Sequence, residues 1–148
     1  MSANKISVGI IGASGYTGAD AVRLLGAHPN AEIKLLTGNA HADKKLAEIF
    51  PQFAGLDVPA LVKAEDADWV GIDAALCGLP HSTAQDVIAQ VPDSVKIIDM
   101  SADFRLRNAD TYAEWYGRSH DNADLLSEAV YGLTEHYAEE IKKARLVA

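Results

Sequence analysis

The chain of 148 residues has one cysteine, Cys77, and few aromatic residues, 7% of the total. A single cysteine excludes an internal disulfide framework and fits a reducing compartment. No apolar run approaches the ~20 residues of a membrane-spanning helix. The opening Met1-Ser2-Ala3-Asn4-Lys5 leads straight into a short apolar run and then glycines, which is not the pattern of a secretory leader. The expectation is a cytoplasmic chain with no membrane partner. Basic residues are also scarce: 13 Lys and Arg stand against 21 Asp and Glu, a formal charge of −8. That balance argues against nucleic acid as a partner and leaves room for a local basic pocket. No internal repeat or low-complexity segment is present, and no His, Cys, Asp or Glu set has metal-ligand spacing.

What is there is globular. The hydrophobic fraction is 49% and the charged fraction 23%, so a single domain of this length buries roughly two-thirds of its surface and needs no staples. Ile6 to Ile11 is short, β-branched and apolar, the pattern of a buried parallel strand. A glycine turn follows, then apolar residues at helical spacing from Ala19 to Ala27, stopped by His28-Pro29-Asn30. Glu32 to Thr37 is a second strand, which completes a βαβ unit.

Further along, Lys44 to Phe50 reads as a short helix ended by Pro51, and Val58 to Lys63 as a short strand. Ile72 to Leu76 is a strand ending at Cys77-Gly78. Ser82-Thr83-Ala84-Gln85 has the spacing of a capping box and opens a helix to about Gln90. Lys96 to Asp99 is a strand, and Asn108 to Tyr116 and Thr134 to Lys143 are helices. Arg145 to Ala148 reads as the start of a strand, which points to a fragment of a longer protein. The alternation predicts an α/β, doubly wound, mainly parallel sheet. Ligands of such sheets sit at the carboxyl ends of the strands, which singles out the turns at 12–18, 37–45, 77–82 and 99–107.

Gly12, Gly15 and Gly18 stand between a strand and a helix. One glycine suits a tight turn, one the approach of a pyrophosphate, and one close packing of helix on strand. The alternative is a glycine turn without a ligand. An NAD site wants a carboxylate at the end of the second strand; here the end reads Leu36-Thr37-Gly38-Asn39, and Glu32 opens the strand rather than closing it. Thr37 and Asn39, with Lys44 and Lys45 nearby, favour a 2′-phosphate and hence NADP, although either lysine alone also reads as a solvated face.

Cys77, at a strand end, reads as a buried core residue rather than a nucleophile. Pro80-His81 either borders the cofactor or forms a locally bonded cap. The segment from Asp99 to Arg107 is the densest in charge. Within it Ser101 and Arg105 are candidates for an anionic substrate group, and Asp103 either orients Arg105 or caps a turn; the alternative is an ion-paired loop. His120 is a further polar candidate, while His136 reads as structural.

Gly-Ala-Ser-Gly-Tyr-Thr-Gly (12–18), Leu-Pro-His (79–81), Ile-Asp-Met-Ser-Ala-Asp-Phe-Arg-Leu (98–106), Tyr-x-x-Trp-Tyr-Gly (112–117) and Val-Tyr-Gly-Leu-Thr-Glu (130–135) occur in that order. Together they resemble the N-acetyl-gamma-glutamyl-phosphate reductases of arginine biosynthesis. Cys77-Gly78 and Thr134 depart from the family's usual residues without touching its chemistry.

The resemblance implies a Rossmann-like NADP(H)-binding domain over residues 1–148, with a second, catalytic α+β domain outside them. It implies reductive dephosphorylation of an acyl phosphate: a cysteine thiolate displaces phosphate, and hydride from NADPH reduces the thioester to an aldehyde. In the family that cysteine lies in Asn-Pro-Gly-Cys, directly after a stretch similar to Ala144–Ala148, so no catalytic residue is assigned here. By motif, Gly12, Ser14, Gly15, Tyr16, Thr17 and Gly18 cradle the pyrophosphate. Thr37 and Asn39 lie near the 2′-phosphate, Pro80 and His81 border the nicotinamide, and Ser101 and Arg105 face the substrate phosphate. The implied partners are a small-molecule substrate and further copies of the same protein, as a dimer or tetramer. The rivals are an aspartate-semialdehyde dehydrogenase, a lysine-pathway reductase of carrier-bound amino acids, and a stand-alone dinucleotide-binding sensor or interaction module.

Overall fold

A computed structural model describes residues 5–148. The reading of Met1–Asn4 against a secretory leader lies outside the described residues. Six parallel strands form one sheet in the order β3-β2-β1-β4-β5-β6. They are β1 (Ile6–Ile11), β2 (Ala31–Thr37), β3 (Leu61–Val62), β4 (Ala74–Cys77), β5 (Lys96–Asp99) and β6 (Leu146–Val147). The helices are α1 (Tyr16–Gly26), α2 (Ala84–Ile88), α3 (Ala109–Tyr116), α4 (Ala123–Glu128) and α5 (Thr134–Ile141). The doubly wound parallel expectation holds. The chain starts at the centre of the sheet and runs outward to β3, then returns to β4 beside β1. The crevice between the ends of β1 and β4 is therefore the switch point where such sheets bind ligands.

The core has two halves, one on each face. Val8, Ile10, Val22, Ile33, Leu36, Leu46 and Leu61 pack together on the α1 side. Ile11, Ala75, Cys77, Ile88, Val95, Ile97, Phe104 and Leu146 pack on the other. The period-2 alternation of strand side chains distributes the apolar residues this way. Each fully buried Ile or Leu contributes about 1.5–3 kcal/mol of transfer free energy. α1 buries Gly18, Ala19, Ala21 and Val22, so small residues bring its axis close to the sheet. In β5 the alternation leaves Lys96 and Ile98 outward, and Ile98 is 38% exposed. One face of the sheet is thus only half covered at that end.

Several boundaries differ from the sequence expectations. α1 starts three residues early, at Tyr16, because the helix grows directly out of the glycine turn. The expected helix over 44–50 is a single 3-10 turn, Leu46–Glu48; a second, Pro51–Phe53, follows where Pro51 stops propagation. The expected strand 58–63 is reduced to Leu61–Val62. The expected strand 72–76 is shifted to Ala74–Cys77, because the Ile72 amide bonds the Trp69 carbonyl in a turn. α4 has no counterpart in the sequence reading. The Ser82-to-Gln85 capping box does not form: Ser82 lies outside the helix with φ +68°, and the α2 cap residue Thr83 makes no side-chain cap bond. The Gln85 side-chain oxygen instead accepts the Asp121 amide at 2.9 Å.

Candidate dinucleotide site

Gly12 ends β1 at φ +80°, a conformation that favours glycine. The Gly12 amide donates to Thr37 Oγ1 at 3.2 Å and the Ala13 amide to the Thr37 carbonyl at 2.8 Å. The Gly15 amide closes the turn on the Gly12 carbonyl at 3.0 Å. Thr37 is buried, and both of its oxygens hold the turn from beneath. This corrects the expectation that Thr37 itself faces a 2′-phosphate: a hydroxyl serving a buried amide is not directed outward. Gly18 then fixes how close α1 comes. A Cβ there would lie 2.6 Å from the Ala13 Cα.

The N-terminus of α1 is open. Its cap residue, Gly15, carries no side chain, and the first turn has no acidic residue. The amides of a helix's first turn have no intrahelical acceptor and carry partial positive charge, which suits a pyrophosphate. A Cβ on Gly15 would meet only the Gly12 carbonyl oxygen, at 3.4 Å, so the space above it is free. Tyr16 and Thr17 are exposed around this end, with the Tyr16 ring 6.3 Å from that of Phe50. On the β2 side no room exists for a side chain at Gly38, where a Cβ would sit 2.9 Å from Ser14 Oγ. Ser14 and the exposed Asn39 thus flank the end of β2. Asn39 Oδ1 accepts the Ala64 amide at 2.9 Å.

On the other side, the loop after β4 forms the second wall. The Gly78 amide bonds the Ile11 carbonyl at 2.9 Å. A Cβ on Gly12 would meet Leu79 at 3.0 Å, so the two turns touch. Pro80 and His81 are exposed beyond them, with the His81 ring 5.9 Å from Tyr116. Glycine turn, β2 end and β4 loop, read separately along the chain, come together at the carboxyl end of β1.

The segment after β5 divides into two parts. Ser101 is buried: its hydroxyl donates to Asp99 Oδ2 at 2.8 Å and accepts the Asp103 amide at 3.1 Å. It supports the loop, where an outward contact with substrate was expected. Arg105 is exposed, donates to the Met100 carbonyl at 3.0 Å, and borders a hollow of about 470 Å³ with Ile98, Tyr131, Leu133 and Val147. Asp103 does not orient Arg105. Its carboxylate accepts the Ser82 amide at 2.7 Å, the Gln85 amide at 3.0 Å and the Tyr112 hydroxyl at 2.7 Å. Burial, then the bond to Asp103, pushes the Tyr112 phenol up to about 12.

Cys77 is fully buried between Ile11 and Asp99 on the neighbouring strands. Burial, then the Asp99 charge, pushes its thiol up to about 12. Burial also raises Asp99, against the opposing pull of the Ser101 amide and hydroxyl. His120 packs edge-on against Phe104 and Tyr112, and burial lowers its pKa. His136 lies exposed on α5.

Sequence reasoning assigned no role to Arg118 or Arg145, read Gln85 only as part of a local cap, and held Tyr112 only within a motif. Arg145 is largely buried, donates to the Val91 carbonyl at 2.9 Å, and pairs with Asp93 and Glu128. The one available signal was Tyr112 and Tyr116 at helical spacing, which here stack with ring centres 4.8 Å apart.

Residues 7–144 match the family described as "Semialdehyde dehydrogenase, NAD binding domain". The chain belongs to this family. As a semialdehyde dehydrogenase NAD binding domain it is an NAD(P)-binding domain, consistent with the open α1 terminus at the switch point. It is 52% identical over 141 residues to N-acetyl-gamma-glutamyl-phosphate reductase from Rhodobacter capsulatus, covering 95% of this chain and 41% of that protein. It is 50% identical over 143 residues to a probable chloroplastic N-acetyl-gamma-glutamyl-phosphate reductase from Arabidopsis thaliana, covering 97% and 36%. The chain thus spans about two-fifths of the curated relatives it matches. Among solved structures, aspartate semialdehyde dehydrogenase with NADP from Candida albicans aligns at 19% identity with TM-score 0.60, over 72% of this chain and 32% of that one. Aspartate semialdehyde dehydrogenase II complexed with ASA from Vibrio cholerae aligns at the same identity and TM-score over 98% and 41%. These structures share the domain's fold. No helix among the described residues is long and apolar enough to cross a membrane.

Proposed function

We propose that this domain holds NADPH for a reductase that converts N-acetyl-gamma-glutamyl phosphate to the semialdehyde and phosphate, in arginine biosynthesis. The observation that carries the reading is the uncapped, acid-free start of α1 at the switch between β1 and β4. Around half identity to reductases of that name supports the substrate. NADPH, when bound, supplies a hydride to the acyl carbon. Gly12, Gly15 and Gly18 with the amides of Ser14, Tyr16 and Thr17 hold the pyrophosphate. Ser14 and Asn39 meet the 2′-phosphate at the end of β2, where no carboxylate repels it; Thr37 acts beneath them by holding Gly12. Pro80 and His81 border the nicotinamide.

Arg105 receives the anionic end of the substrate at the hollow beside β5, and Ser101 secures the loop that carries it. Cys77 plays no nucleophilic part, because a thiol pushed up to about 12 and wholly buried forms no accessible thiolate. The acylated cysteine and most contacts of a dimer or tetramer belong to the three-fifths of the relatives' length that this chain does not span, in a reductase that acts in the cytoplasm. Titration with NADPH and NADH, followed by cofactor fluorescence, tests the first step. Saturable NADPH binding with much weaker NADH binding is expected, and equal affinities refute the 2′-phosphate assignment. Turnover of the acyl phosphate by the longer protein, lost on Arg105→Ala, tests the second.

A further inference from the structure

The geometry points to Asp103 as a positioning residue of the dinucleotide site: with Arg118 it clamps the His81–Ser82 segment that borders the nicotinamide half of the cofactor. This rests on the cofactor reading above. Asp103 belongs to the loop after β5, 21 residues from Ser82. It is fully buried, and its two carboxylate oxygens take the amides on either side of the α2 start, Ser82 and Gln85. α2 has five residues and no side-chain cap of its own, so Asp103 supplies the cap from another loop. Tyr112 donates to the same carboxylate, and the Asp103 amide is in turn fixed by Ser101.

Arg118, from beyond α3, donates through Nη1 to the Ser82 carbonyl, and its other nitrogen pairs with Asp86 at 3.2 Å. Ser82 is therefore gripped at both its amide and its carbonyl by residues outside its own loop. That grip matters because Ser82 sits at φ +68°, a left-handed conformation that is uncommon and strained for serine. Releasing either partner lets Ser82 relax to negative φ, which turns the preceding peptide and swings His81 away from the mouth of the crevice.

The direction of the cofactor follows from the sheet. The adenosine ribose lies at the end of β2, and the pyrophosphate crosses the start of α1, so the nicotinamide half lies over the end of β4. The loop after β4 is the one that Asp103 and Arg118 hold. A loss of positioning thus weakens the whole dinucleotide and spares a fragment lacking the nicotinamide half.

The test compares NADPH with 2′,5′-ADP, using calorimetry on the wild-type chain, Asp103→Asn and Arg118→Met. Asp103→Asn keeps the shape but turns one acceptor into a donor facing an amide. Arg118→Met keeps the stem of a half-exposed side chain. For both variants the expected result is a loss of about tenfold or more for NADPH and less than about twofold for 2′,5′-ADP, the scale of one polar group left unpaired, an amide donor in Asp103→Asn and the Ser82 carbonyl in Arg118→Met. Equal losses for the two ligands, or none for either, overturn the positioning role while the cofactor reading stands. If Asp103→Asn does not fold by circular dichroism, Arg118→Met decides by the same ratio. A folded wild-type chain that binds neither ligand overturns the cofactor reading, and the positioning role with it.

Discussion

Gly18→Ala perturbs the contact on which the site is built. A Cβ at Gly18 would stand 2.6 Å from Ala13 Cα and 2.8 Å from the Gly12 carbonyl carbon. Both atoms are backbone, so no side chain can turn aside. Gly12 and Ala13 are themselves tied to Thr37 by two hydrogen bonds, and the strand cannot retreat without breaking them. α1 must therefore lift from the end of β1. Overpacking of a tight interior costs about 1–3 kcal/mol, and rigid backbone on the receiving side places this case near the upper bound. The better helix propensity of alanine offsets about 1 kcal/mol. The net destabilisation is about 2 kcal/mol, which for a chain of this size lowers Tm by roughly 4–8 °C. Urea unfolding followed by tryptophan fluorescence reads the first number and differential scanning calorimetry the second. The first-turn amides move with the helix, so 2′,5′-ADP affinity falls as well. A variant as stable as wild type, with unchanged 2′,5′-ADP binding, would refute the close packing of α1 on the glycine turn.

Gly15→Ala provides the contrast: the added methyl meets only one ordinary contact and the backbone there, φ −91° and ψ 166°, suits any residue. Stability is expected within about 1 kcal/mol of wild type, with clear loss of 2′,5′-ADP binding; unchanged affinity in a titration would remove the phosphate from this position. Cys77 is expected to resist Ellman's reagent at pH 8 in the folded chain and to react once per chain in urea; rapid native labelling would contradict its burial and its pKa near 12. His120 gives a pH dependence. Its Nδ1 accepts the Asn122 amide, an interaction only the neutral ring makes, and burial holds its folded pKa below the usual 6.5. Its contribution to stability is therefore complete above about pH 6.5 and is lost as pH falls through the lower folded value. His120→Gln should flatten the fall in urea midpoint between pH 7.5 and 5; a slope equal to wild type would rule out His120 as its source.

The glycine turn, the strand before it and the helix after it were legible because each is a local pattern: an apolar run, a turn that needs glycine, and helical spacing. The turns at 12–18, 37–45, 77–82 and 99–107 do follow the carboxyl ends of parallel strands, as the alternation predicts. The roles within those turns were not legible. Thr37 and Ser101 looked like ligand contacts because a threonine or serine at a strand end has a free hydroxyl in sequence; in the fold each hydroxyl is taken by a buried backbone amide 25 or two residues away. Ser82 and Gln85 had the spacing of a local cap, and a carboxylate from a different loop replaced it. α4 escaped notice because it has only six residues and a single buried one, Leu126, so it carries no apolar periodicity.

By itself, then, the sequence determined the α/β alternation, the glycine turn and the absence of an acid at the end of the second strand, all of which depend on neighbours along the chain. Only the tertiary structure decided the strand order that places β4 beside β1, the Ile11 and Asp99 neighbours that flank Cys77 and the clamp that Asp103 and Arg118 form around Ser82. Those depend on which distant groups a buried amide, carbonyl or thiol meets, and hydrophobic periodicity carries no record of such partners.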